Sequence, residues 1–100
     1  MSELVLKDKV AIVTGGAGGI GTCVAMECAK AGAKVVVAAR SQERLEKVAA
    51  EIANLGVESL ALPTDVTVAE QVDNMVQQTV DRFGRVDIMV YNAGGAMHIK

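Results

Sequence analysis

The sequence predicts an α/β chain, a doubly wound parallel sheet built β-α-β-α-β-α-β with strand order 3-2-1-4. Three observations predict it. Short all-apolar runs rich in β-branched residues alternate with longer stretches of helical periodicity, the connections between them are brief, and a glycine-rich turn separates the first strand from the first helix. Parallel pairing needs a crossover between strands, and helices on both faces of the sheet supply it.

Val10-Ala11-Ile12-Val13 is apolar throughout and stops at Thr14-Gly15, the pattern of a strand buried on both faces. From Ile20 the pattern is helical, with Ile20, Val24, Cys28 and Ala31 on one stripe and Gly32 just past the end as a stop. Lys34 to Ala39 is a second buried strand. Ser41 caps the next helix, whose Leu45, Val48, Ala49 and Ile52 share a face and whose Glu43 and Lys47 pair at i,i+4; Gly56 ends it. A third strand is expected at Ser59 to Leu62. Thr67-x-x-Glu70 then reads as a capping box ahead of a stripe of Val68, Val72, Met75, Val76, Val80 and Phe83, closed by Gly84. Val86 to Tyr91 is the fourth strand. Right-handed crossovers place the first two helices on one face and the third on the other, which sets strands one and four side by side at the centre. Such a switch point binds ligands beyond the carboxyl ends of its strands, where Thr14, Arg40, Asp65 and Asn92 all sit.

One hundred residues, 51% hydrophobic and 22% charged, suit a single domain over 1–100 without linker or repeat. A net charge of −2, 2% aromatic residues and the lack of a Lys/Arg run argue against nucleic-acid binding. Apolar stretches such as Val35-Val36-Val37-Ala38-Ala39 fall far short of the roughly 18 residues of a spanning helix. The acidic start Met1-Ser2-Glu3 is not that of a secretion signal, so no membrane association and a cytoplasmic location are expected. Cys23 and Cys28 stand about 140° apart on a helix, share no face for a bridge or a metal, and are expected to be reduced, buried thiols. Residues 1–50 carry seven Lys/Arg against five Asp/Glu and residues 51–100 three against seven, which directs any anion to the first half.

The loop Gly15-Gly16-Ala17-Gly18-Gly19-Ile20-Gly21 joins a buried strand to a helix N-terminus, so its backbone can approach a pyrophosphate closely and aim free N–H groups at it. A tight turn without a ligand is the competing explanation. Gly16 and Gly21 have the spacing of a P-loop, but Thr22 stands where its lysine is required, which excludes that class. The glycines fit two registers, Gly16-x-Gly18-x-x-Gly21 and Thr14-Gly15-x-x-x-Gly19-x-Gly21. In the second register, with Asp65-Val66 after the third strand and Asn92-Ala93-Gly94 after the fourth, the chain resembles the short-chain dehydrogenase/reductase family. The resemblance is to that family's N-terminal cofactor-binding half, a Rossmann-like fold truncated here after the fourth strand, and it covers essentially the whole chain.

The resemblance implies an oxidoreductase that moves a hydride between a nicotinamide dinucleotide and an alcohol or carbonyl. It implies that Gly15, Gly19, Ile20 and Gly21 form the cofactor loop, that Asp65 and Val66 hold the adenine, and that Asn92, Ala93 and Gly94 back the central sheet beside the adenine ribose. On residue chemistry alone, Asp65 and Asn92 also have the ordinary role of turn formers. The second strand ends Ala38-Ala39-Arg40-Ser41, without the acidic residue that accepts a ribose 2′-hydroxyl. Arg40 and Ser41 therefore favour a 2′-phosphate, and NADP is expected ahead of NAD; a solvated charge at the start of the second helix is the other reading of Arg40.

Family enzymes use a serine and a Tyr-x-x-x-Lys pair for which this chain has no counterpart. Tyr91, its only tyrosine, lies inside the fourth strand with no lysine four residues on, and His98 and Lys100 fall in a short tail. No catalytic residue and no metal ligand is assigned, and a small-molecule substrate is expected only in a longer form. The alternative is a non-catalytic nucleotide-binding or partner-binding module. With the fourth strand at the sheet edge, self-association through that strand is expected.

Overall fold

The computed structural model describes residues 5–15, 19–93 and 96–99. Its elements are β1 (Val10–Thr14), α1 (Gly19–Lys30), β2 (Lys34–Ala39), α2 (Gln42–Ala53), β3 (Ser59–Pro63), α3 (Ala69–Phe83), β4 (Ile88–Ala93) and β5 (Ala96–Ile99). The sheet order is β3-β2-β1-β4-β5, the first four strands parallel and in the predicted arrangement.

Successive strand residues point to opposite faces, and this alternation divides the core in two. Ala11, Val13, Val35 and Val37 meet α1 and α2 in one cluster, while Ile12, Val36, Ala38 and Leu62 meet Met75 of α3 in the other. Every residue of β1 is buried because both its faces are covered. Two helices on one side and one on the other is the arrangement right-handed crossovers require.

The helices correct the sequence reading in detail. α1 meets the sheet chiefly through Gly21, Ala25 and Ala29, all buried, while Val24 and Cys28 of the expected stripe pack against the same core only in part; the Ile20 side chain of that stripe lies outside the described residues. Small residues at i,i+4 let a helix lie close on a strand, so the bulkier Val24 and Cys28 sit at its margin, half-buried. Cys23 lies off that line and is exposed, contrary to the expected burial; partial burial, with Glu27 beside it, pushes the Cys28 thiol up. Gly32, at φ +100°, ends α1, with its N–H and that of Ala33 donating to the Ala29 and Cys28 carbonyls at 3.0 and 3.1 Å. Ser41 does cap α2, accepting the Arg44 N–H at 3.4 Å, and Leu45, Val48 and Ile52 are buried. Among the described residues no ion pair joins Glu43 to Lys47; Gln42 Nε2 donates to Glu46 Oε2 at 2.8 Å instead.

The capping box is also corrected. Val68 is the N-cap residue of α3, without a side-chain hydrogen bond, because Thr67 is engaged by Asp65. On the same helix Val68 and Val80 are each 39% exposed, while Thr79 is buried and donates its hydroxyl to the Met75 carbonyl at 2.8 Å. That bond satisfies the hydroxyl within the helix and makes the burial tolerable.

β4 begins two residues later than predicted, and its outer side is paired. β5 runs antiparallel along it, from Val90 opposite Ile99 to Ala93 opposite Ala96. An antiparallel return needs only a short connection, where a parallel one needs a crossover of a dozen residues. The edge expected at β4 therefore belongs to β5. The approach to β4 is held by Asp87, whose Oδ2 accepts the Val10 N–H at 2.9 Å and whose own N–H donates to the Val10 carbonyl at 2.9 Å. Arg85 donates to Asp87 Oδ1 from Nη2 at 2.7 Å and from Nε at 3.1 Å. The Arg85 guanidinium, then the Val10 hydrogen bond, hold the Asp87 carboxyl below the ordinary carboxylate range.

Candidate functional site

The carboxyl edge of the sheet is assembled from the ends of β1, β2, β3 and β4. β1 closes on Thr14, fully buried, whose Oγ1 donates to the Val90 carbonyl of β4 at 3.2 Å. Gly15 follows at φ +68°, its N–H donating to the Ala38 carbonyl of β2 at 2.7 Å. A side chain at that φ costs about 1–2 kcal/mol, so the chain turns out of the sheet here on a glycine. α1 starts at Gly19, where an added Cβ would meet nothing within 4 Å, and its first turn carries no acidic residue. The positive dipole end of this helix thus meets no carboxylate from its own first turn. Ile20 lies in that turn, and Gly21 is buried against the sheet. Gly16, Ala17 and Gly18 of the same loop, and Gly94 of the fourth-strand motif, lie outside the described residues.

On the other side of β1, the Ala39–Pro63 register and a 2.7 Å hydrogen bond from the Thr64 N–H to the Ala39 carbonyl bring Arg40 beside Thr64-Asp65. Arg40 is exposed and makes no hydrogen bond or ion pair with any described residue. Ser41, next to it, uses its Oγ as the α2 cap. Asp65 does form a turn. Its Oδ1 accepts from the Thr67 N–H at 3.0 Å and the Thr67 Oγ1 at 2.6 Å, and its own N–H donates to Gln71 Oε1 at 2.7 Å. The two Thr67 bonds, with a lesser pull from the Arg40 charge, hold the Asp65 carboxyl below the ordinary range. Val66 is half-buried beside it. Thr67 and Gln71 were given no role in the site by the sequence reading, although Asp-x-Thr is the spacing at which a carboxylate accepts from the residue two positions on.

Asn92 and Ala93 are the last two residues of β4 and run past the β1 pairing, which ends at Val13 opposite Val90. The structure thus brings Gly15, Gly19, Arg40, Asp65, Val66 and Asn92 to one edge, around the start of α1. A helix N-terminus without an acidic residue in its first turn and an exposed guanidinium at the same sheet edge suit an extended ligand carrying more than one phosphate.

Comparison with known proteins agrees with this architecture. The family model for short chain dehydrogenase matches residues 9–100. An uncharacterized oxidoreductase of Staphylococcus aureus (strain MRSA252) is 41% identical over 96 residues, which are 96% of this chain and 41% of that protein. Among solved structures, a short-chain type dehydrogenase/reductase from Mycobacterium marinum superposes with a TM-score of 0.87 at 45% identity, covering 91% of this chain and 37% of that one. NAD+-bound xylitol dehydrogenase gives 0.86 at 36% identity, covering 89% and 34%. The chain belongs to the short-chain dehydrogenase/reductase family. It spans about two fifths of the length of the curated relatives it matches.

Proposed function

We propose that the chain is the dinucleotide-binding part of an oxidoreductase that transfers a hydride between NADP(H) and an alcohol or carbonyl. The observation that carries the choice of NADP is Arg40: at the end of β2, where a 2′-hydroxyl reader would carry a carboxylate, stands an exposed guanidinium that makes no hydrogen bond or ion pair with any described residue. The residues fit such a cofactor. Gly15 turns the chain away without a side chain, Gly19 leaves open space over the helix end, and no acidic group in the first turn of α1 opposes a pyrophosphate. In this reading the backbone of Gly15, Gly19, Ile20 and Gly21 faces the pyrophosphate. Asp65 and Val66 hold the adenine, Asn92 and Ala93 lie beside the adenine ribose, and Arg40 with Ser41 takes the 2′-phosphate. The cofactor supplies or accepts the hydride; these residues bind and orient it.

Titration of the chain with NADPH and NADH tests the reading. NADPH is expected to bind more tightly. Arg40→Ala should weaken NADPH by about fivefold, corresponding to about 1 kcal/mol for a charged hydrogen bond discounted for exposure, and leave NADH unchanged. Ala39→Asp should reverse the order by repelling the phosphate and accepting from the 2′-hydroxyl. Equal affinities in the unaltered chain, or a preference indifferent to Arg40→Ala, would show Arg40 to be a solvated charge.

A further inference from the structure

We infer that the turn formed by Asp65, Thr67 and Gln71 is a specificity device: it withholds a neighbouring carboxylate from Arg40 and so leaves the guanidinium to a ligand phosphate. The inference rests on the NADP reading above and extends it from Arg40 to residues on a different strand end and helix.

The strand register sets Arg40 and Asp65 side by side, one just past β2 and the other just past β3. The two opposite charges attract each other, yet no ion pair joins them among the described residues. The reason is visible in the hydrogen bonds of the turn. Both donors of Thr67 converge on one oxygen of Asp65, the hydroxyl at 2.6 Å, within the short range of bonds to an ionised acceptor. Gln71, from the first turn of α3, fixes the backbone by accepting the Asp65 N–H at 2.7 Å. The carboxylate is thereby turned toward Thr67 and held there through Oδ1.

Released from the turn, Asp65 would compete for the guanidinium and repel a dianionic 2′-phosphate. A ligand carrying only a 2′-hydroxyl would feel neither effect. The turn should therefore act on the ratio of NADPH to NADH affinity, a quantity that a general loosening of the site would not move.

The full chain is titrated with both dinucleotides as the unaltered protein, as Thr67→Val, as Thr67→Val with Gln71→Ala, and as Thr67→Ser. Thermal unfolding confirms that each is folded. The double variant is expected to lose about 1.5- to 5-fold in NADPH affinity relative to NADH, the range of an exposed ion pair, with Thr67→Val showing part of this loss. The loss should shrink at high salt, and Thr67→Ser, which keeps the hydroxyl, should keep the ratio. In an Asp65→Asn background the same substitutions should no longer change the ratio. An unchanged ratio in the double variant, or a change that persists in the Asp65→Asn background, would overturn the inference while leaving the role of Arg40 intact. If the unaltered chain shows no NADPH preference, the NADP reading fails, and the device fails with it.

Discussion

Gly15 and Gly84 offer a matched pair that separates backbone strain from ligand binding. Both have positive φ, +68° and +83°, and both sit where the chain leaves a regular element, β1 in one case and α3 in the other. At Gly84 a Cβ would meet nothing within 4 Å, so Gly84→Ala should register the conformational cost alone, about 1–2 kcal/mol. Gly15→Ala carries at least that conformational cost, since its φ is also positive. For a domain of this size each kcal/mol lowers the midpoint by about 4–8 °C, so both variants should melt several degrees early in circular dichroism. They should part in the second measurement. If the Gly15→Ala backbone relaxes out of the left-handed region, the 2.7 Å hydrogen bond from that N–H to the Ala38 carbonyl is disturbed and the cofactor loop leaves the sheet in a new direction. Restoring the binding geometry then costs up to the same 1–2 kcal/mol, about 5- to 30-fold in NADPH affinity. Gly84→Ala lies at the far end of α3 and should bind NADPH normally at temperatures where it is folded. Equal loss of affinity in the two variants, or a Gly15→Ala protein with unaltered melting and binding, would refute the assignment of the β1 exit to the cofactor.

Two further outcomes are expected. The Asp87 carboxyl is held below its ordinary range, so its contribution to stability is present above about pH 4, near the unfolded-state value, and is lost as pH falls through the lowered native value. Asp87→Asn should flatten the acid limb of urea midpoints measured across pH; an acid limb as steep as that of the unaltered chain would show that other carboxyls govern it. Ala25→Leu, on the buried line of α1, should cost about 1–3 kcal/mol by overpacking, whereas Val24→Leu at the helix margin should fall within about 0.5 kcal/mol. The reverse order in denaturant titrations would restore the Val24-Cys28-Ala31 stripe as the packing surface.

The sheet was legible because its signal is strong and local. Val10 to Val13 and Val35 to Ala38 are apolar on both faces, and only a strand covered on both sides needs that. Crossover handedness then gave strand order and the placement of all three helices. What failed depended on contacts that hydrophobicity does not encode. In α1 the sheet selects for smallness, so Gly21, Ala25 and Ala29 face inward past more apolar neighbours. Thr67-x-x-Glu70 matches a capping box, but Asp65 two residues earlier competes for the threonine and wins it with two donors on one oxygen. β5 lies in a segment read as tail, where four residues gave no periodicity to detect. For the candidate site, the strand-end positions of Arg40, Asp65 and Asn92 followed from topology. That Arg40 and Asp65 are neighbours follows only from register, which no single strand reveals.

The packing of α1 bears on how the site behaves before it meets a ligand. α2 is anchored by Leu45, Val48 and Ile52, while α1 buries glycine and two alanines at its core line, several methylene groups fewer, each worth about 0.8 kcal/mol of transfer free energy. The helix whose end is proposed to face the phosphates thus buries less apolar bulk along its core line than α2 does, which lowers the free energy of opening it locally. Anything that engages its N-terminus adds to that free energy by mass action. Occupancy of the site and order in α1 are two measures of one equilibrium.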